Sequence, residues 1–327
     1  MRLAAAIAFT LLSLHFDAAV TQPTPGMNIS GIATTLFQLN ATNTWFENLV
    51  VRTNGEIIVT RMDVPELWLI DPFTQKGRKL VEVPGVSGGT IGITEHAPDV
   101  FIFGAANFTV NPVVVDYGSM GIYRLELNGD LPVVSLAAAL PGSRFLNGIA
   151  RWNDNEVLVA DTEASAIYRV DVTTGSSVTV LSGPDYATVN GLAVKSQYLY
   201  YTSTGNQTFF RVPLGIDATA AGPVEIIFTG LPLDDFALEA DGTAYIATMD
   251  RNQVIRVSPN GSMVTVAGGV DSLDVAACTS VQFGRTDKDE TTLYVTTSGG
   301  SLTPIFGNFT EPAKVVSVKL TVVERSS

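Results

Sequence analysis

Apolar and polar residues alternate along this chain in short runs, and the runs come in sets. The stretch "NGIARWNDNEVLVADTEASAIYRVDV", from Asn147, holds three such runs with turn-forming residues between them. Alternation with period two, bounded by Gly, Asn, Asp or Ser, marks a β-strand. The same set recurs in "NGLAVKSQYLYYTSTGNQTFFRVPL" from Asn190, "DFALEADGTAYIATMDRNQVIRVSP" from Asp235 and "ENLVVRTNGEIIVTRMDVPELWLIDP" from Glu47. Two looser copies start at Ile91 and Thr279. A further short run follows most copies: "RKLVEV", "PVVSLA", "SVTVLS", "VEIIF" and "MVTVAG".

Six copies of a four-run set, recurring about every 43 to 56 residues, predict an all-β fold. The architecture expected is a six-bladed β-propeller of four-stranded antiparallel blades. The last copy ends without its fourth run. "ATTLFQL", Ala33 to Leu39, is expected to supply that strand from the N-terminal end and close the ring. Nothing inside the repeats reads as a linker, so residues 21–327 are expected to form one domain.

Two copies open on Asn-Gly, in "LNGIAR" and "VNGLAV". Asn-Gly is a strong hairpin signal, yet no matching run pairs across either one. In the propeller register each heads the innermost strand of its blade. The aligned positions are Glu47, Ile91, Asn147, Asn190, Asp235 and Thr279, expected to ring one mouth of the channel. Polar groups there are costly unless they bind something. Glu, Asn and Asp oxygens on one axis suit Ca²⁺ or Mg²⁺. Turn capping by the same side chains, or water in the channel, would satisfy them as well. Loops between second and third strands should open on the same mouth. They carry Arg61, Met62, Asp161, Thr204, Met249, Arg251 and Thr297, while Trp45, Phe46, Phe145 and Phe236 flank the strand heads. Apolar walls with few polar anchors are what small-molecule sites are made of.

Composition narrows the function classes. The formal net charge of −13 and the lack of a basic patch exclude a nucleic-acid partner. Residues 1–20, "MRLAAAIAFTLLSLHFDAAV", read as a secretory signal, too short to span a bilayer. No later apolar segment is long enough to cross a membrane. The expected location is the secretory pathway, outside the cell or in a vesicle or vacuole. Six glycosylation sequons agree with that route: Asn28, Asn40, Asn107, Asn206, Asn260 and Asn308. Cys278 is the single cysteine, which excludes an intrachain disulfide, and it reads as a buried apolar thiol. After the signal only His96 remains as histidine, in a turn-like stretch. "GVSGG", around Ser87, has the spacing of a nucleophile elbow, but strand-like "TIGIT" follows where a helix is required.

"ENLVV", "LNGIA", "VNGLAV" and "DDFALEADG" resemble the strand heads of the regucalcin and gluconolactonase-like propellers, over about Thr34 to Leu320. The resemblance implies Glu47, Asn190 and Asp235 as ligands of a divalent cation, with Asn147 on the substrate side. Two departures stand out. The family's Glu-Gly-Pro reads "ENL" here, and its substrate-binding Arg two residues before the third-blade Asn is Phe145, beside Arg144. The loss of that arginine weighs against a sugar lactone, whose polyol acid wants charged bidentate contacts.

"WFENLVVRTNGEIIVT", "FLNGIA", "DDFALEADGTAYIAT", "SVQFGRT" and "LYVTTSGG" are similar to a secreted fungal branch of that superfamily. That branch includes hetero-Diels–Alderases of tropolone sesquiterpenoid pathways. This resemblance implies a pericyclase that joins a tropolone o-quinone methide to a humulene-type terpene, both small apolar natural products, with no cofactor required. Arg61, Asn147 or Asn190 would polarise the carbonyl, and Glu47 or Asp235 would act as acid or base. Met62, Phe145 and Met249 would line the pocket. A metal-dependent lactonase or esterase, and a non-catalytic small-molecule-binding propeller, are the alternatives.

Overall fold

The computed structural model describes residues 28–323. The expected signal sequence lies outside the described residues. The chain opens with β1 (Asn28–Gln38). Blade one follows as β2 (Phe46–Val51), β3 (Ile57–Arg61), β4 (Glu66–Asp71) and β5 (Lys76–Glu82). Blade two has β6 (Gly89–Ala97) and β7 (Val100–Ala106). It continues through a small hairpin, β8 (Phe108–Val110) and β9 (Val113–Val115), to β10 (Gly121–Glu126) and β11 (Val133–Ala139). Blade three is β12 (Leu146–Arg151), β13 (Glu156–Asp161), β14 (Ala166–Asp171) and β15 (Ser177–Ser182). Blade four is β16 (Val189–Lys195), β17 (Tyr198–Ser203), β18 (Thr208–Pro213) and β19 (Glu225–Thr229). Blade five is β20 (Phe236–Leu238), β21 (Ala244–Ala247), β22 (Gln253–Val257) and β23 (Met263–Gly268). Blade six is β24 (Cys278–Phe283), β25 (Thr292–Thr297) and β26 (Lys314–Val323).

The sixth sheet runs β1-β26-β25-β24, so the N-terminal strand closes the ring as expected. It is longer than Ala33–Leu39, because β26 continues to Val323 and β1 pairs with it from Asn28 onward. Leu39 N–H donates to Ala313 O at 3.0 Å, and Ala313 N–H to Thr44 Oγ1 at 2.9 Å, which tie the closure to the entry of blade one. No helix among the described residues is long and apolar enough to cross a membrane.

The alternation in the sequence is explained by burial of both blade faces. In β3, Ile57 and Val59 pack against blade six, while Ile58 between them packs against blade two. In β13, Val157 and Val159 face blade two, while Leu158 and Ala160 face blade four. In β21, Tyr245 and Ala247 face blade six, while Ala244 and Ile246 face blade four. Each neighbouring pair of blades thus shares one apolar layer. Burial of apolar area at roughly 25 cal/mol per Å² makes these layers the main source of stability.

The inner strands carry an irregularity at their heads. The register between first and second strand shifts at Phe46/Leu49, Thr90/Ile93, Leu146/Ile149, Val189/Leu192 and Cys278/Ser280. Asn147-Gly148 and Asn190-Gly191 lie inside two of these bulges. They are therefore not hairpin turns; each Asn-Gly is the bulged head of an inner strand. The glycine serves the neighbouring blade. A Cβ at Gly148 would stand 2.4 Å from Asn190 O and 2.8 Å from Leu192 N, both backbone atoms. One at Gly191 would stand 2.6 Å from Asp235 Oδ1 and 3.0 Å from Asp235 Cα. Backbone cannot yield as a side chain can. Gly148→Ala is therefore expected to destabilise by about 1–3 kcal/mol or more, read as a shift of the urea midpoint at constant m-value. An unchanged midpoint would contradict the close approach.

Candidate active site at the channel mouth

The strand heads come together as the register predicts. Glu47, Asn147, Asn190, Asp235 and Thr279 are all buried, and Ile91 sits in the apolar layer between blades two and three. Trp45 donates its indole N–H to Glu47 Oε2. Asp235 Oδ2 accepts from Asn48 Nδ2 at 2.7 Å. Asn48 thereby reaches from blade one past blade six to blade five, and Ser280 Oγ of blade six donates to its Oδ1 at 3.1 Å. Thr279 Oγ1 donates to Phe46 O at 2.7 Å. Thr296 Oγ1 donates to Glu47 O at 3.3 Å. Blade six thus anchors the head of β2.

Asn48 and Asp234 escaped sequence reasoning. Asn48 stands in the register slot that is Gly92, Gly148 and Gly191 in the next three blades. An Asn where three copies have Gly was the available signal. Asp234 is the first Asp of "DDF" and is 2% exposed.

Three carboxyls share this site, and no cationic side chain acts to lower any of them. Burial pushes the Glu47 carboxyl up to about 7, against the Trp45 N–H, which acts to lower it. Burial first, then the charges of Glu47 and Asp235, hold the Asp234 carboxyl well above the usual range. Burial and the Glu47 charge do the same for Asp235. Three acceptors here are buried and unpaired: Asn147 Oδ1, Asn190 Oδ1 and Asp234 Oδ1. These oxygens fit a hard cation by type. Among the described residues no three His, Cys, Asp or Glu side chains gather as a metal cluster, so amide oxygens would have to complete any such set.

The other predicted residues have definite partners. Arg61 is buried, ion-paired to Asp63 and, at 3.1 Å, to Glu66, with its guanidinium 5.9 Å from the Trp68 ring centroid. Met62 and Phe145 lie in the apolar layer between blades two and three, with Trp45. The β8–β9 hairpin joins this layer through Phe108, whose ring meets Phe145 edge-on at 5.6 Å. Met249 is half-buried, with φ of 49°, and its N–H bonds Cys278 O at 3.1 Å. Asp161 Oδ1 accepts from Phe145 N at 3.0 Å, and its Oδ2 from Arg144 N at 2.8 Å, so it builds the loop that carries Asn147. Thr297 binds the backbone of Lys314, and Arg251 is exposed. His96 lies at the far end of β6, bonded to Asp154 O at 2.8 Å, away from the mouth. Ser87 is followed by β6 and not by a helix. A polar hollow of about 520 Å³ lined by Asn153, Asp154, Asn155, Glu156 and Asp171 lies at that far end and contains none of the ring residues.

The SMP-30/Gluconolactonase/LRE-like region is matched over residues 155–299. A Phoma sp. protein assigned the name hetero-Diels-Alderase is 25% identical, with 96% of this chain and 97% of that protein covered. A second protein assigned that name, from Sarocladium schorii, is 28% identical, covering 77% of this chain and 75% of its own. The resemblance read from the strand heads therefore holds. This chain is similar to two proteins that carry the name hetero-Diels-Alderase. The fold is also that of a calcium-binding regucalcin from Agrobacterium tumefaciens, with a TM-score of 0.62 at 17% identity, over 89% of this chain and 95% of that one.

The raised Glu47 carboxyl makes stability depend on pH. Unfolded, the group ionises near 4.5; folded, it keeps its proton to about 7. Between those values the native state binds more protons, so stability falls as pH rises through this window. Glu47→Gln keeps an acceptor for Trp45 and removes the titration. It is expected to match the parent at pH 4 and to exceed it by about 1–3 kcal/mol at pH 8. Equal urea midpoints at pH 8 would show that the fold does not penalise the ionised carboxylate.

Proposed function

We propose that this protein is a hetero-Diels-Alderase-type pericyclase working at the channel mouth. Its similarity over 96% of the chain to a protein carrying that name is the observation that carries this reading. The chemistry fits the inventory. A [4+2] cycloaddition of an enone-type heterodiene with an alkene forms one C–C and one C–O bond and releases nothing. It needs neither the nucleophile nor the imidazole base of acyl transfer; His96 lies at the other end of the channel and Cys278 is buried, its thiol pushed up to about 12 by burial. What it needs is alignment, which removes up to about 7–11 kcal/mol of barrier in ideal cases.

The substrate class we propose is a tropolone o-quinone methide with a humulene-type terpene. Glu47 is the acid assigned to protonate the departing hydroxyl, which leaves as water, and its carboxylate then takes the ring hydroxyl's proton as the quinone methide forms; its carboxyl sits near the working pH. Arg61 is occupied by Asp63 and Glu66, and the Asn190 amide by Thr204, so Asn147 is the amide donor assigned to the heterodiene carbonyl. Trp45, Met62, Phe108 and Phe145 are assigned to the apolar wall. The setting proposed is the secretory route. Asn40, Asn206, Asn260 and Asn308 are exposed, in support of glycosylation there, whereas Asn107 is half-buried and accepts Ser87 N at 2.9 Å. Asn28 is the first residue of β1.

A second reading rests on the buried oxygen donors of the strand heads. A divalent ion held by Glu47, Asn190 and Asp235 would supply an electrophile for a lactone carbonyl. The two readings separate in one assay. The protein is incubated with a hydroxymethyl-tropolone and humulene, with and without EDTA, beside a panel of lactones. An enantioenriched dihydropyran formed equally in EDTA is expected, slowed about 10²-fold or more by Glu47→Gln. No adduct, together with EDTA-sensitive lactone opening, would overturn the pericyclase reading.

A further inference from the structure

Residues 298–313 connect β25 to β26 at the mouth end of blade six and carry an apolar tip that the fold leaves uncovered. The base of this loop is fixed. Thr297 pairs with Cys278, one residue before the ring position Thr279, and Ser298 N–H donates to Ala277 O at 3.0 Å. Further out, Ile305 is buried, and its N–H donates to Phe309 O at 2.7 Å while Phe309 N–H donates to Ile305 O at 2.8 Å. Phe306, Gly307 and Asn308 form the turn between them.

Phe306 is a poor residue for that turn on two counts. Its φ is 53°, in the left-handed region, where Gly307 at 80° is at ease and a bulky side chain is strained. It is also 56% exposed, so no core packing offsets the strain. Leu302 and Phe309 are exposed in the same loop. The whole run "SGGSLTPIFGNFT", Ser298 to Thr310, has no charged residue. A strained, exposed aromatic, where Gly or Asn would close the turn better, points to something that covers it.

The turn itself supplies the occupant. Asn308 heads the sequon "NFT" and ends the same turn, exposed and at most about 7 Å from Phe306 along the backbone. Among the six sequons it alone has an aromatic residue two places before it. A lipid surface or a second copy would meet a hydrophilic oligosaccharide rising from the centre of the patch. The C–H face of a sugar ring instead suits the negative face of an aromatic ring. We propose that the N-linked glycan of Asn308 folds back on Phe306, its first N-acetylglucosamine stacked on the phenyl face, and so covers the apolar tip beside the mouth. In the modification the Asn308 amide nitrogen loses one proton and bonds C1 of the sugar, as the bond from C1 to a lipid diphosphate carrier breaks. This rests on the secretory setting proposed above and is independent of the pericyclase reading.

The test uses the full-length protein secreted from a yeast host. Peptide mass spectrometry reads occupancy at each sequon, and thermal unfolding at one scan rate reads what the glycan contributes. Asn308→Gln is expected to lower the unfolding midpoint by about 1–4 °C. In a Phe306→Ala background the same change is expected to leave the midpoint unmoved. Thr310→Val, which removes the sequon and keeps Asn308, should match Asn308→Gln. With every glycan trimmed to its first sugar by an endoglycosidase, the parent should keep its margin over Asn308→Gln, because that sugar makes the contact. A glycan on Asn308 whose loss moves the midpoint equally with and without Phe306, or not at all, overturns the inference. An unoccupied Asn308 beside occupied Asn40, Asn206 or Asn260 also overturns it and leaves the secretory setting standing. No glycan at any sequon overturns that setting as well.

Discussion

Inner strands β6, β12 and β16 approach the next blade so closely that Gly92, Gly148 and Gly191 leave no room for a Cβ atom. The rest of the mouth depends on that approach. Packing backbone against backbone around one axis brings the bulged heads of neighbouring blades side by side. Side chains that would be far apart in an open sheet then share one small space. Blade one breaks the series with Asn48, and the side chain that replaces hydrogen becomes a strut to Asp235. The glycine positions and the polar positions are thus two consequences of one convergence.

Convergence also sets the electrostatics. Glu47, Asp234 and Asp235 come from two blades that are not neighbours, and among the described residues none of them meets a basic side chain. Burial without a counter-charge raises all three carboxyls, and the Glu47 charge raises both aspartates further. Two basic side chains near the strand ends are spent on loop structure. Arg61 ties Asp63 and Glu66, and Lys314 ties Glu311 at 2.7 Å. Those charges are paired, while Asn147, Asn190 and Asp234 each keep a buried oxygen without a partner.

The buried polar strand heads were legible because they recur in phase with the repeats. Glu47, Asn147, Asn190 and Asp235 follow from aligning the copies on one aliphatic residue. The fates of Arg61, Met62 and Phe145 were not legible. Arg61 has acids two and five residues on, but whether it pairs with them or faces a ligand depends on how β3 and β4 lie. Met62 and Phe145 were expected at the pocket, and the apolar layer they share with Trp45 takes in Phe108 of the β8–β9 hairpin, for which the repeat pattern had no slot.

The sequence by itself determined the strand alternation, the sixfold repeat and the ring closure by β1. These are local or periodic properties, since a strand buried on both faces must present apolar residues to each neighbour. Only the tertiary structure decided that Asn48 spans to Asp235, that the Asn190 amide nitrogen meets Thr204, and that Arg61 is spent on its own loop. Each of these depends on distances between groups that the fold alone sets, and a hydrogen bond or ion pair is decided within a few tenths of an ångström.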